Sequence, residues 1–192
     1  LDSELLLSNI LKKSREEVLI SYEQKIDSKN ISKYRGHLRR RSRNEPIAYI
    51  LEEKEFWSKK FSVNKNTLIP RPETELLVHK LVELFKDKRL SILDIGTGSG
   101  CIIISLLDSL KRSKGLGIDI SKKALLIAKK NRAKYNLQSK LKLLNKSLES
   151  TLDKKFDLIV SNPPYIKKNE IKNLCKDIKQ YEPRIALDGG ND

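Results

Sequence analysis

Residues 90–110, LSILDIGTGSGCIIISLLDSL, decide the fold. The run LSILDI (90–95) is short, apolar and ended by glycine, the profile of a buried strand, whereas SGCIIISLLDSL (99–110) has the length of a buried helix. Strand, glycine loop and helix in that order open an α/β sheet. The same alternation continues outward: GLGIDI (115–120) reads as a second strand, SKKALLIAKKNRAKY (121–135) as an amphipathic helix, LKLLN (141–145) as a third strand and KFDLIVS (155–161) as a fourth. Upstream, ETELLVHKLVELF (73–85) reads as another amphipathic helix, with Pro72 near its first turn and Glu73 and Glu75 at its positive end. Strands separated by helices require right-handed crossovers, so the sheet is mostly parallel.

The loop DIGTGSG (94–100) is the first candidate site. Gly96, Gly98 and Gly100 let the backbone turn tightly and approach a ligand, and the following helix start offers free N–H groups. A dinucleotide loop wants G-x-G-x-x-G, yet the third position of that pattern is Cys101. The observed G-x-G-x-G spacing, with Thr97 and Ser99 between the glycines, points to the adenosyl ligand of S-adenosylmethionine (SAM) methyltransferases. Asp119 ends the second strand, where doubly wound folds set a carboxylate against ribose hydroxyls. The simpler reading, in which Asp119 and Ser121 only cap the next helix, is compatible with that role.

The second candidate site is NPPY (162–165), at the end of the fourth strand. Proline has no N–H for a ladder, so pairing must stop at Asn162. The chemistry this suits is presentation of a planar NH2 group, whose delocalised lone pair makes it a poor nucleophile. Such a group needs acceptors. The Asn162 side-chain oxygen and the Pro163 carbonyl supply them, Pro163 and Pro164 bring no competing N–H, and Tyr165 can cover the planar face. Two prolines stiffen the platform and keep the nitrogen in line with a methyl donor. No general base is needed, and His37 and His79, both on predicted helices, read as surface residues. The plainer alternative is a rigid strand exit with a packed Tyr.

The first 43 residues read as short helices, with a capping-box spacing from Ser14 to Glu17 at the head of SREEVLISYEQKI (14–26). EFWSKKFSV (55–63) has roughly strand periodicity and suggests a hairpin or linker, placing a boundary between 50 and 66. The 192 residues are 38% hydrophobic and 34% charged, enough apolar material for a core. No run is long enough to span a membrane, no signal-peptide layout is present, and Cys101 and Cys175 lie apart without companions at metal spacing. A cytoplasmic protein without a metal is expected. The net charge of +15 comes mostly from scattered Lys, with one dense cluster, RRRSR (39–43), and fits either a solvated basic surface or a nucleic-acid contact.

The glycine loop and NPPY together resemble the amino-methyltransferases of the class I SAM fold. LIPRPETELLV (68–78) and YEPRIALDGG (181–190), with NEPIAYI (44–50) and EFW (55–57), narrow the resemblance to the HemK/PrmC family, the peptide chain release factor N(5)-glutamine methyltransferases. It covers nearly the whole chain. The resemblance implies a Rossmann-like α/β methyltransferase domain over 73–192, a hairpin or linker over 56–72, and a small helical domain over 1–55 that docks the release factor. SAM would be held by Gly96, Thr97, Gly98, Ser99, Gly100, Asp119, Ser147 and Asn162. Asn162, Pro163 and Tyr165 would be catalytic, and Pro164, Pro70, Arg71 and Glu73 would complete the pocket for the glutamine of a Gly-Gly-Gln motif. The implied enzyme is a monomer acting on class I release factors without nucleic acid.

Two positions depart from the family pattern. Lys146, Ser147 and Leu148 stand where many members have an Asp-Trp or similar pair against adenine, and Glu52 stands where Gly is usual. The absence of Met, together with four strands where the family has seven, reads as a fragment whose fourth strand would be an exposed apolar edge. The alternatives are methylation of adenine or guanine in nucleic acid, methylation of a ribosomal-protein glutamine, and a binding module without turnover.

Overall fold

The computed structural model describes residues 1–21, 23–151 and 154–191. Three helices open the chain: α1 (Asp2–Leu11), α2 (Arg15–Ile20) and α3 (Ser28–Ser42). The expected capping box sits at the head of α2, where Ser14 Oγ accepts from Glu17 N at 3.1 Å and Ser14 N donates to Glu17 Oε2 at 2.6 Å. The helix read over 14–26 stops at Ile20, and Tyr22 lies outside the described residues. His37 on α3 departs from the surface reading: it is half-buried and its Nδ1 has no hydrogen-bond partner, while His79 is exposed.

A short helix, α4 (Ile47–Ile50), leads into an antiparallel hairpin of β1 (Glu53–Phe56) and β2 (Lys59–Ser62), which starts two residues earlier than the sequence suggests. The two-residue turn puts Trp57 and Ser58 at φ 53°, the left-handed region that a hairpin of this length demands and that glycine usually fills. Trp57 is held there by a 3.3 Å bond from its Nε1 to Ser109 Oγ. Inward-facing Phe56 and Phe61 meet edge to face at 6.1 Å, both without solvent exposure. The hairpin is thereby part of the main core.

The rest alternates as expected: α5 (Glu73–Leu84), β3 (Ser91–Ile95), α6 (Cys101–Ser109), β4 (Lys114–Asp119), α7 (Lys122–Lys134), β5 (Leu141–Asn145) and β6 (Leu158–Ser161). All four strands are parallel, in the order β5–β4–β3–β6. Helix α6 is apolar over most of its surface and largely buried, packing Ile103, Ile104, Leu106 and Leu107 into one core with Ile92 and Val160. The opposite sheet face carries Leu93, Leu116 and Ile118. Among the described residues β6 is an edge strand, and its Ile159 is 58% exposed.

After β6 the chain forms a two-stranded parallel ladder that sequence periodicity did not reveal: β7 (Ile166–Lys167) with β8 (Asp188–Gly190), spanning the short helix α8 (Lys176–Tyr181). Two or three residues are too few to show a period of two. No helix among the described residues is long and apolar enough to cross a membrane.

Candidate active site

The strand order reverses between β3 and β6: the chain winds from β3 to β4 to β5, then returns to the other side of β3. The loops leaving the carboxyl ends of these two strands diverge and leave a crevice, the usual ligand position in open α/β sheets. Here the two loops are the glycine loop and NPPY. A cleft of about 390 Å³ lies between them.

The glycine loop is shaped for close approach. Gly96, Gly98 and Gly100 adopt φ of 68°, 56° and 81°, and Gly100 caps α6 where a Cβ would come within 3.0 Å of Ile104 Cδ1. A Cβ on Gly96 would meet no atom within 4 Å, so the room above the loop is left to a ligand. Asp119 ties the loop to the next helix: its Oδ2 accepts from Gly98 N and its Oδ1 from Ser121 N, both at 2.8 Å. Ser121 Oγ in turn accepts from Ala124 N at 3.2 Å, so the capping role and a place beside the cleft coexist. Each Asp119 oxygen keeps a lone pair for a hydroxyl, and the start of α6 keeps free N–H groups for an anion. Ile120 and Leu148, 60% and 42% exposed, offer apolar faces at the cleft beside Lys146 and Ser147. This donor and acceptor set fits the adenosyl, ribose and carboxylate parts of SAM.

Beneath the loop, Asp94 is 1% exposed and accepts from Thr97 Oγ1 at 2.6 Å, while among the described residues its Oδ1 has no hydrogen-bond partner. Burial pushes its carboxyl up to about 7, against the pull of the Thr97 hydroxyl and the Ile103 N–H. Cys101 also lines the cleft, and burial pushes its thiol up to about 12, so it is neutral and no nucleophile. Asn131, fully buried on α7, joins three elements. Its Oδ1 accepts from Ser62 N at 2.7 Å, and its Nδ2 donates to the Ser62 and Ser99 carbonyls at 2.9 Å each. The hairpin and the glycine loop are therefore fixed to one side chain.

At the other wall, Ser161 Oγ donates to the Ile95 carbonyl at 2.9 Å and holds the end of β6 against β3. Asn162, Pro163 and Pro164 then line the cleft. Asn162 Nδ2 faces Thr74 Oγ1 at 3.4 Å, and among the described residues neither Asn162 Oδ1 nor the Pro163 carbonyl receives a hydrogen bond. Tyr165 departs from the expectation. It is 76% exposed and does not line the cleft; the chain passes straight into β7, and Tyr165 instead borders two adjoining hollows. One of these, about 290 Å³, is bordered by Arg71, Glu73, Thr74, Leu77, Asn162 and Tyr165. Glu73 faces this hollow only, whereas Pro70 lines the cleft and Arg71 both.

Two supports of this wall were not identified from sequence. Glu182, whose side chain is 1% exposed, binds Arg71 Nη2 at 2.7 Å and accepts from Ile69 N at 3.2 Å, joining LIPR to YEPR. Burial raises its carboxyl above the ordinary range, with Arg71 pulling the other way. Gly189 on β8 lies so close to NPPY that a Cβ would stand 2.9 Å from the Pro164 carbonyl oxygen and 2.9 Å from Tyr165 Cα. The stretch YEPRIALDGG (181–190) was the available signal, but the partners of Glu182 and Gly189 lie more than twenty residues away. Among the described residues no cluster of His, Cys, Asp or Glu could hold a metal.

Comparison with known proteins agrees with this architecture. The methyltransferase small domain family matches residues 72–185, and the PrmC N-terminal domain family matches residues 1–51. A release factor glutamine methyltransferase of Caulobacter vibrioides is 39% identical over 194 residues, covering 100% of this chain and 67% of its own length. Another, from Buchnera aphidicola subsp. Acyrthosiphon pisum, is 44% identical over 191 residues, covering 99% of this chain and 68% of its own. The chain belongs to the release factor glutamine methyltransferase family. Its fold is that of the class I SAM-dependent methyltransferases. A SAM-dependent methyltransferase structure from Agrobacterium tumefaciens superposes on 58% of this chain and 39% of its own with a TM-score of 0.51 at 17% identity, which shows the fold alone.

Proposed function

We propose that the protein transfers a methyl group from SAM to the side-chain amide nitrogen of the glutamine in the Gly-Gly-Gln motif of class I peptide chain release factors. The observation that carries this reading is the meeting of two hollows at Asn162: a cleft floored by the glycine loop on one side, and a side hollow bordered by Arg71, Glu73 and Tyr165 on the other. When bound, SAM supplies a methyl carbon on a sulfonium sulfur, which leaves as a thioether once the carbon–nitrogen bond forms. The chain's own residues hold the nitrogen. Asn162 Oδ1 and the Pro163 carbonyl each accept one N–H of the substrate amide, which fixes its plane at the junction of the hollows.

The nitrogen releases its extra proton to water on methylation, so no buried base is needed. Gly96–Gly100, Asp119 and Ser147 hold SAM in this reading, with Ile120 and Leu148 replacing the more usual adenine contact. Pro70, Pro164 and Arg71 frame the glutamine, and Tyr165 and Glu73 guide the loop that carries it. A flipped nucleobase is stacked between aromatic or apolar side chains. Among the described residues no aromatic side chain lines the cleft and Tyr165 is the only one bordering the side hollow, so a base would have a single ring to stack on, which favours the glutamine reading. The enzyme would work in the cytoplasm as a monomer, without nucleic acid.

The test is methyl-labelled SAM offered with an intact release factor, the same factor with its Gly-Gly-Gln glutamine replaced, and mixed nucleic acid. Label is expected on the intact factor alone, and Asn162→Ala is expected to reduce it by roughly 10²-fold or more. Label on nucleic acid, or equal label on both factors, overturns the reading.

A further inference from the structure

A side-chain amide used as an acceptor has a weakness, because one end accepts and the other donates and a half-turn about χ2 exchanges them. If Asn162 presented its NH2 to the substrate, two sets of N–H groups would face one another and the clamp would repel what it must hold. The rigid backbone does not decide this. Ser161 is tied to the Ile95 carbonyl and Pro163 restrains Asn162's own backbone, but neither touches χ2.

We infer that Thr74 is a positioning residue that holds the Asn162 side-chain amide in place, an inference that rests on the proposed glutamine reading. Asn162 Nδ2 lies 3.4 Å from Thr74 Oγ1, which leaves Oδ1 free. Thr74 stands in the first turn of α5, where its own N–H bonds to the Arg71 carbonyl at 3.1 Å, so its place is set by the same PRPETE segment that supplies Arg71 and Glu73. Thr74 and Asn162 are both half-buried and both border the cleft and the side hollow. A hydroxyl can donate or accept, so Thr74 fixes the place of the amide, and in the arrangement observed it meets the NH2 end and leaves Oδ1 towards the substrate.

Thr74→Val removes the acceptor at nearly constant volume, and Thr74→Ser keeps it. The first readout needs neither SAM nor substrate. The Asn162 side-chain NH2 signal in the nitrogen–proton NMR spectrum, assigned by its loss in Asn162→Ala, is expected to move and exchange faster with water in Thr74→Val and to return in Thr74→Ser. The second is turnover with an intact release factor. Thr74→Val is expected to lower kcat about 10-fold, the scale of one hydrogen bond, with the SAM dissociation constant within about twofold, Thr74→Ser near wild type, and no further loss when Thr74→Val is added to Asn162→Ala. An unmoved NH2 signal, an unchanged kcat in Thr74→Val, or full additivity with Asn162→Ala overturns the role of Thr74. Wild-type protein that fails to methylate the release factor overturns the glutamine reading instead, while the NH2 signal still decides the contact.

Discussion

Gly189→Ala isolates the support behind the amide clamp. The added Cβ would stand 2.9 Å from the Pro164 carbonyl oxygen, 2.9 Å from Tyr165 Cα and 3.0 Å from the Tyr165 carbonyl carbon, all backbone atoms. Ordinary carbon contacts lie near 3.5 Å, so the two segments must part by about 0.6 Å. The fixed φ of Pro163 and Pro164 limits how much of this local rotation absorbs, and part of the displacement passes to Asn162. Misplacement by about 1 Å can cost on the order of 10²-fold in rate, which puts the expected loss near 10-fold. Overpacking should cost about 1–2 kcal/mol of stability, at the low end because Gly189 is at the surface and can yield. The assay is single-turnover methylation of a release factor at saturating SAM, with SAM affinity measured by calorimetry and expected to stay unchanged. Gly190→Ala is the control. Its φ of 106° makes alanine strained, yet its Cβ meets nothing within 4 Å and pushes on no part of the clamp. A Gly189→Ala rate within twofold of wild type, or equal rate losses in the two variants, would refute the reasoning.

Three further outcomes are expected. Glu52 sits at φ 56°, where an L residue costs about 1–2 kcal/mol, so Glu52→Gly should gain up to about 1 kcal/mol after the entropy of a glycine in the unfolded chain is subtracted; an unchanged or lower Tm by calorimetry counts against this. Asp94 has its folded carboxyl raised to about 7, so its contribution to stability is full below about 4 and is lost as pH rises towards 7. Urea melts of the ligand-free protein at pH 4.5 and 7.5 should show less of this loss in Asp94→Asn, and parallel profiles would sink the assignment. Glu182→Gln leaves Arg71, still 30% exposed, without its counter-charge and should cost about 2 kcal/mol while raising KM for the release factor more than it lowers kcat. A KM unchanged at that stability loss would reduce the pair to a structural tie.

The parts of the fold legible in sequence are those governed by short-range physics. LSILDI followed by glycines and then CIIISLLDS could only be a strand, a turn and a buried helix, and the parallel direction of the later strands followed from their helical connections. Boundaries moved where a side chain competed with the pattern. Ser99 and Gly100 belong to the loop because Gly100 takes a left-handed φ, and Ile120 leaves its strand because Asn145 Nδ2 takes the Asp119 and Ile120 carbonyls, at 2.8 and 2.9 Å. The site divides in the same way. Gly96–Gly100, Asp119 and Asn162 announce themselves by motif, whereas Asn131, Glu182 and Gly189 act across 32, 111 and 25 residues of chain, as the separations of Ser99, Arg71 and Pro164 from them show. A period of 2 or 3.6 holds no information about such pairs.

That separation also explains why the clamp is built from strand ends rather than from one continuous motif. An amide acceptor and a methyl donor must meet within a few tenths of an ångström, and a loop alone does not hold such tolerance. Here Ile95 and Ser161 are neighbours in the β3–β6 register, and the Ser161 hydroxyl adds a bond to the Ile95 carbonyl. The residue after each is therefore the start of one wall, Gly96 on one side and Asn162 on the other, which the proposed reading gives to the methyl donor and to its acceptor. The sheet sets the spacing of the two walls, and the PRPETE and LDGG segments then set the angle of the acceptor from outside. Mutations in those outer segments should accordingly spare SAM binding and cost turnover, whereas changes at Asp119 should do the reverse first.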